Sequence, residues 1–362
     1  LSSRHTSAFP ARGGAAPKSR QHKAPRAARA SDAPRTGAVA SSSAAVAPAY
    51  DPAVLADPAL VVLRYDARRT VVAPELGGSL VAFYDDTARG PIHWLRPTSR
   101  AALAAGDPLE LASFPLFPYC NRIRDGRFTF EGVSWQLPMG EGMLRHALHG
   151  HAWKRPWQIA KRTANTVELV FRHEPSPLAG TASEPGWPFR YEARQRIVLD
   201  ADGLSIHLSV CNLDTRPMPC GFGHHPYYPR SAGTRIETGV RAMWASDDAL
   251  LPVALAPHPA VDALKQGLVI DGFSLDNNFT GWNREARIVW PDEHRSLTLV
   301  AEAPLDCFVL YSPSDQPFFC AEPVSNTTDW LNLDVPVADK GGCVLAPGES
   351  VEAGFAWRPS FD

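Results

Sequence analysis

Two adjacent imidazoles stand in the run Gly223-His224-His225-Pro226-Tyr227-Tyr228, pinned by a proline and followed by two hydroxyl-bearing rings. An imidazole moves protons near neutral pH, and an aromatic ring with a polar edge suits the face of a sugar. Upstream, Leu148-His149-Gly150-His151 follows Phe117-Pro118-Tyr119-Cys120-Asn121-Arg122-Ile123, and downstream comes Cys320-Ala321-Glu322-Pro323. Each run sets an ionisable group beside a backbone-restricting Pro or Gly, the setting in which loops and strand ends present reactive side chains. The chemistry these residue types support is acid–base work on a polyol. Neighbouring side chains in extended backbone face opposite ways, so only one of His224 and His225 is expected to enter such a site.

The elements that must position these groups read as strands. Short apolar or alternating runs at 60–63, 69–73, 80–84, 127–130, 166–171, 189–199, 204–212, 286–290, 296–300, 307–311 and 351–357 are mostly bounded by Gly, Pro, Asn or Asp. One short helix is expected over 101–111, and no long amphipathic helix. Many strands without a clear linker from 59 to 362 predict an all-β protein, one large antiparallel β-sandwich occupying 51–362.

Composition narrows the function classes. Residues 1–50 carry eight Lys/Arg and one acidic residue, Asp32, with no hydrophobic periodicity. They are expected to be a disordered extension, either non-folding or a transit peptide. The remaining chain is mildly acidic within a net charge of −2, which makes nucleic acid a poor partner. No stretch approaches the roughly 18 apolar residues of a spanning helix, so no membrane association is expected. Six scattered cysteines without a C-x-x-C pair argue against zinc and against a disulfide framework, and they suit a reducing, cytoplasmic setting.

Taken in order, the motifs resemble those of the aldose 1-epimerase (galactose mutarotase-like) family. The resemblance rests on Pro74-Glu75-Leu76-Gly77-Gly78-Ser79-Leu80, the 114–123 run ending in Asn-Arg-Ile, Leu148-His149-Gly150 and Gly186-Trp187-Pro188-Phe189. It continues through the 223–228 run, Leu275-Asp276-Asn277-Asn278-Phe279 and Ala321-Glu322-Pro323. It implies the family's large antiparallel supersandwich and an isomerase that interconverts hexose anomers by opening and reclosing the ring, without a metal or other cofactor. It further implies Glu322 as base, His225 as acid and His149 near the ring oxygen, with Asn121, Arg122 and Asp276 binding sugar hydroxyls. One departure concerns His151-Ala152-Trp153, where many galactose mutarotases carry a second glycine. That departure leaves open a phosphorylated substrate, hence a hexose-6-phosphate 1-epimerase.

Other readings compete. The pattern His146-x-x-His149-x-His151 invites a metal reading, since alternate residues such as His149 and His151 share a strand face, but Gly150 suggests a turn. Asp276 and Glu322 could form a glycosidase carboxylate pair, although that scheme leaves the histidines idle. Asp276 could instead cap a turn with Asn277 and Asn278. Trp153 or Trp282 could stack on the sugar. A non-catalytic sugar-binding or regulatory protein on the same scaffold is the alternative from another class.

Overall fold

Leu204, Ile206, Leu208 and Val210 are buried along the strand Leu204–Asn212 while the residues between them are partly or fully exposed, the period of two that a half-buried strand requires. Tyr191–Leu199 pairs with it antiparallel and repeats the pattern. These strands centre a nine-stranded sheet ordered Gln158–Arg162, Thr166–His173, Tyr191–Leu199, Leu204–Asn212, Ser350–Phe361, Arg295–Ala301, Glu285–Trp290, Arg235–Thr238, Leu268–Val269. The computed structural model describes residues 55–140 and 145–361, and the expectation of disorder over 1–50 lies outside the described residues.

The second sheet has eleven strands. Its path runs Val61–Tyr65, Arg68–Ala73, Ser79–Asp85, Ser113–Leu116, Gly223–Pro229, Phe318–Val324, Cys307–Ser312, Leu275–Thr280, Ala242–Ser246, Pro252–Ala256, with Ile92–His93 beside Ser79–Asp85. One shared apolar cluster joins the sheets: Phe279, Phe308, Leu310, Phe319 and Tyr228 from this one, Ile206, Leu299, Phe355 and Trp357 from the other. The Trp357 indole donates to the Tyr228 hydroxyl at 2.8 Å. Each large apolar side chain so buried contributes about 1.5–3 kcal/mol, so this interface fixes the sheet that carries the candidate residues.

At its centre the eleven-stranded sheet is covered on both faces. Ser113–Leu116 is buried throughout, and Gly223–Pro229 and Phe318–Val324 nearly so. A separate cluster, including Phe114, Trp153, Tyr227, Val309 and Cys320, lies on the face turned away from the other sheet.

The helical reading needs correction. The helix expected over 101–111 is only Arg100–Ala105. Gly106 terminates it in a left-handed conformation at φ +70°, and Pro108 opens a separate 3₁₀ turn. A second helix, Pro259–Gln266, is present with Pro259 at its first position and Gly267 after its end.

Candidate active site

Register builds the site. Gly223 and Tyr227 pair with Val324 and Cys320, which sets His225 opposite Glu322; on the other side His225 pairs with Phe114. Glu322 pairs in turn with Val309, and Val309 with Asn278. Phe114, His225, Glu322, Val309 and Asn278 therefore form one cross-strand row on the outward face. Tyr227, Cys320, Tyr311 and Asp276 form the next row. His224 points to the opposite face, where its Nδ1 lies 2.5 Å from Ser113 Oγ and its ring 5.4 Å from that of Phe355.

His225 Nε2 lies 3.3 Å from Glu322 Oε1, and the two residues are 6% and 2% exposed. The imidazole is clamped between the rings of Phe114 (4.7 Å, 21°) and Tyr227 (4.8 Å, 28°). Trp153 stacks behind Phe114 at 5.0 Å, and the Arg96 guanidinium lies 3.7 Å over the far face of Tyr227. This column fixes the ring's edge on the carboxyl and keeps water from both faces. Glu322 Oε2 accepts from no donor among the described residues.

The third group comes from a loop. His149 has φ +59°, followed by Gly150 at φ +68°. A Cβ at Gly150 would lie 1.9 Å from the Phe117 carbonyl oxygen, so only glycine lets this turn close against the 117–122 segment. Gly77, from the first motif, likewise lies against the Trp153 carbonyl, 1.9 Å from where a Cβ would stand. The His149 N–H donates to the Asn121 carbonyl at 2.9 Å, and the Asn121 N–H donates to His149 Nδ1 at 3.0 Å. Nδ1 is thus the acceptor, and the imidazole proton resides on Nε2, on the side of the cavity.

Asn121 Oδ1 accepts from the backbone N–H of Arg122 (2.8 Å) and from its Nη1 (3.1 Å), and Arg122 Nη2 lies 3.3 Å from Asp276 Oδ2. These groups line a cavity of about 630 Å³ with Arg96, Glu110, Tyr227, Tyr311, Asp315 and Phe318. A larger cavity, about 720 Å³, lies behind the loop and holds His151 and His173. Its single carboxylate, Glu174, leans toward Arg190 (4.0 Å) and sits beside no imidazole in the way Glu322 does. Only the smaller cavity sets a buried carboxyl against a buried imidazole.

Burial dominates the electrostatics. It raises the Glu322 carboxyl well above the usual range, with Asp276 adding and Arg122 opposing. It lowers His225 to about 3, with Arg96 and Arg122 contributing, and lowers His149 well below its usual value, with His225 next in effect. Elsewhere, burial lowers His93 to about 4 and His151 and His224 to about 3. These three bind protons more readily when unfolded, near pH 6.5, so their stabilisation is complete above about 6.5 and is lost as pH falls toward 3–4. Each costs about 1.4 kcal/mol per pH unit in that window. Glu322 acts in the opposite direction, but it is one group against these three and the likewise lowered His149 and His225. The urea midpoint is expected to be lower at pH 5 than at pH 7.5; an equal or higher midpoint at pH 5 would contradict this.

All six candidate residues meet in one cavity: Glu322, His225 and His149 at its inner end, Asn121, Arg122 and Asp276 along its wall. Several competing readings do not hold. His146 Nδ1 accepts from the Asp125 N–H (3.0 Å) and His151 Nε2 meets the Tyr191 hydroxyl (3.2 Å), so neither joins His149 in a metal set. Among the described residues the one cluster with metal-ligand spacing is His225, Cys320 and Glu322, the same carboxyl–imidazole pair plus a thiol that burial holds well above its usual range. Asp276 lies in the strand Leu275–Thr280 and caps no turn, and its tie to Arg122 leaves it ill suited as a glycosidase carboxylate. Trp153 and Trp282 are buried, the latter against Phe308, and neither lines the cavity. The aromatic surfaces there are Tyr227, Tyr311 and Phe318.

Sequence reasoning missed Arg96 and Asn326. Arg96 Nη2 donates to the carbonyls of Leu109 (2.7 Å) and Leu111 (2.5 Å). The Asn326 amide both accepts from and donates to the Cys120 backbone at 3.1 Å, clamping the 117–122 segment to the turn after Glu322. Asn326 lies four residues beyond Glu322, and that proximity was the only signal for it; Arg96 had none.

Known proteins share this architecture. An Escherichia coli K12 crystal structure provisionally described as an aldose 1-epimerase is 28% identical, covering 84% of this chain and 99% of its own, with a TM-score of 0.71. A galactose mutarotase-like protein from Clostridium acetobutylicum shares the fold at 20% identity, covering 84% of this chain and 95% of its own, with a TM-score of 0.74. The uncharacterised E. coli K12 protein YphB is 29% identical over 291 residues, 78% of this chain and 92% of that protein. The family model of aldose 1-epimerase matches residues 59–357, and with that match the chain belongs to the aldose 1-epimerase family.

Proposed function

We propose that this cavity interconverts the α and β anomers of an unphosphorylated hexose, with Glu322 as base and His225 as acid. The observation that carries the reading is the 3.3 Å contact between a buried carboxyl and a buried imidazole. The anomeric hydroxyl and the ring oxygen are bonded to the same carbon, so a base serving one and an acid serving the other must be close neighbours. Glycosidase carboxylates stand about 5–9.5 Å apart, and that chemistry has no use for an imidazole in contact with its carboxylate.

Ring opening begins when Glu322 takes the proton from the anomeric hydroxyl while His225 protonates the ring oxygen. The open aldehyde then faces a neutral carboxylic acid and a neutral imidazole. Burial favours that pair of protonation states, since it raises Glu322 and lowers His225. For the first step the pair must stand as carboxylate and imidazolium in their 3.3 Å contact, and passing the two protons through the sugar neutralises both buried charges. Rotation about the bond next to C1 presents the other aldehyde face, and the same two protons return on reclosure. His149 donates its Nε2 proton near the ring oxygen, while Arg122, Asn121 and Asp276 hold the remaining hydroxyls.

Charge favours a free sugar over a phosphorylated one. Four carboxyl groups line the cavity (Glu110, Asp276, Asp315 and Glu322) against two guanidiniums. Arg96 is committed to two carbonyls and Arg122 to Asn121 and Asp276. Polarimetry across free and 6-phosphorylated aldoses tests the reading. At least one free aldose should equilibrate faster with enzyme, and exhaustive chelation should leave the rate unchanged. Acceleration confined to phosphorylated sugars, or sugar binding with no acceleration, would refute the proposal in favour of a hexose-6-phosphate epimerase or a binding protein; loss on chelation would point to metal at His225, Cys320 and Glu322.

A further inference from the structure

Cys220 and Cys343 lie 123 residues apart in the chain and directly opposite each other in the two-stranded ribbon formed by Met218–Cys220 and Cys343–Leu345. Met218 pairs with Leu345 two positions along, and both are buried, so the cysteines share that ribbon's inward face. Val344, between Cys343 and Leu345 in sequence, is half exposed on the other face. Directly opposed strand residues have Cα atoms about 4.5–5.5 Å apart, within the span a disulfide accepts.

We propose that Cys220 and Cys343 form a reversible disulfide by exchange with a low-molecular-weight disulfide of the glutathione type. Their environments divide the work. Cys220 is fully buried and Cys343 only partly, so the oxidant reaches Cys343 first. Contact with the Cys220 thiol also lowers Cys343 and raises Cys220, which makes Cys343 the attacking thiolate. Cys343 attacks one sulfur of the oxidant, forming a mixed disulfide and expelling one glutathione thiolate. Cys220 then loses its proton and attacks the Cys343 sulfur, closing the protein disulfide and expelling the second thiolate. The protein's two thiols are oxidised, and the oxidant leaves as two molecules of reduced glutathione.

The other cysteines lack this arrangement. Burial raises Cys120, Cys307 and Cys320. Cys211 faces Glu192 and Ser350 across its strands. The bond would tie the segment leading into His225 to one that hydrogen-bonds the turn after Glu322. Gly221, beside Cys220, donates to the Pro118 carbonyl at 2.8 Å, and Phe222 donates to Ser325 Oγ at 2.8 Å. Gly342, beside Cys343, donates to the Ser325 carbonyl at 2.8 Å. Because the pair already faces across the ribbon, oxidation should raise the melting temperature, on the order of 5 °C for so long a closed loop, without displacing His225 or Glu322.

The test uses the full chain incubated with oxidised glutathione and mapped by non-reducing peptide mass spectrometry. Wild type should yield a linked Cys220/Cys343 peptide and the higher melting temperature. Cys220→Ser should retain a glutathione adduct at Cys343, since nothing remains to resolve it. Cys343→Ser, at the partly exposed position, leaves the buried core unaltered and should leave Cys220 without a glutathione adduct, since Cys220 reacts only through Cys343; an adduct on Cys220 in that variant would overturn the order of attack. A stable glutathione adduct at Cys343 of wild type, or modification confined to Cys211, would overturn the assignment.

Discussion

His225→Asn should lower the rate of anomer equilibration by about 10²–10⁴-fold while the protein stays folded, because Asn can fill the slot between Phe114 and Tyr227 but cannot carry the proton. The adjacent substitution separates chemistry from architecture. His224 is fully buried against Phe355 and touches Ser113 at 2.5 Å on the inter-sheet face. His224→Asn should therefore cost about 1–3 kcal/mol of stability, the scale of a buried polar group losing its partner, with turnover near wild type once folded protein is counted. Rates by polarimetry and stabilities by urea unfolding check both halves. Equal rate losses in the two variants, or near-wild-type turnover in His225→Asn, would remove His225 from the reaction.

How far the fold was legible depended on whether a strand's residues form an apolar or alternating run, as they do even in the fully buried Ser79–Asp85. Leu204–Asn212 and Tyr191–Leu199 alternate because solvent covers one side, and that period is plain in the residues. Gly223–Pro229 and Phe318–Val324 break their apolar run with His224, His225, Pro226, Glu322 and Pro323, so they read as motifs and not as strands. The site followed the same division. His149, His225 and Glu322 stand beside glycine or proline in recognisable runs, and register brings them together. Arg96 acts through carbonyls of Leu109 and Leu111 and through the Tyr227 ring, contacts that exist only once the chain has folded. The cysteine pair was hidden for the same reason, since 123 residues of chain separate two residues that register sets face to face. The tryptophans misled because a large aromatic suits a sugar face and a protein core equally well, and Trp153 and Trp282 serve the core.

Glu322→Gln should have the effect that bears most on the account. Glutamine matches the carboxyl in shape and can still meet His225, but it cannot accept the proton of the anomeric hydroxyl. Neither can it hold that proton while the ring is open. The loss should be at least about 10²-fold, with sugar affinity changed little because Arg122, Asn121 and Asp276 remain. The direct measurement is NMR saturation transfer between the two anomeric protons of a free aldose, at one enzyme concentration for wild type and Glu322→Gln, with sugar binding titrated in parallel. Catalysed exchange in wild type, its disappearance in the variant and binding retained in both is the predicted result; undiminished exchange in Glu322→Gln, or wild type that binds the sugar and exchanges nothing, would contradict it.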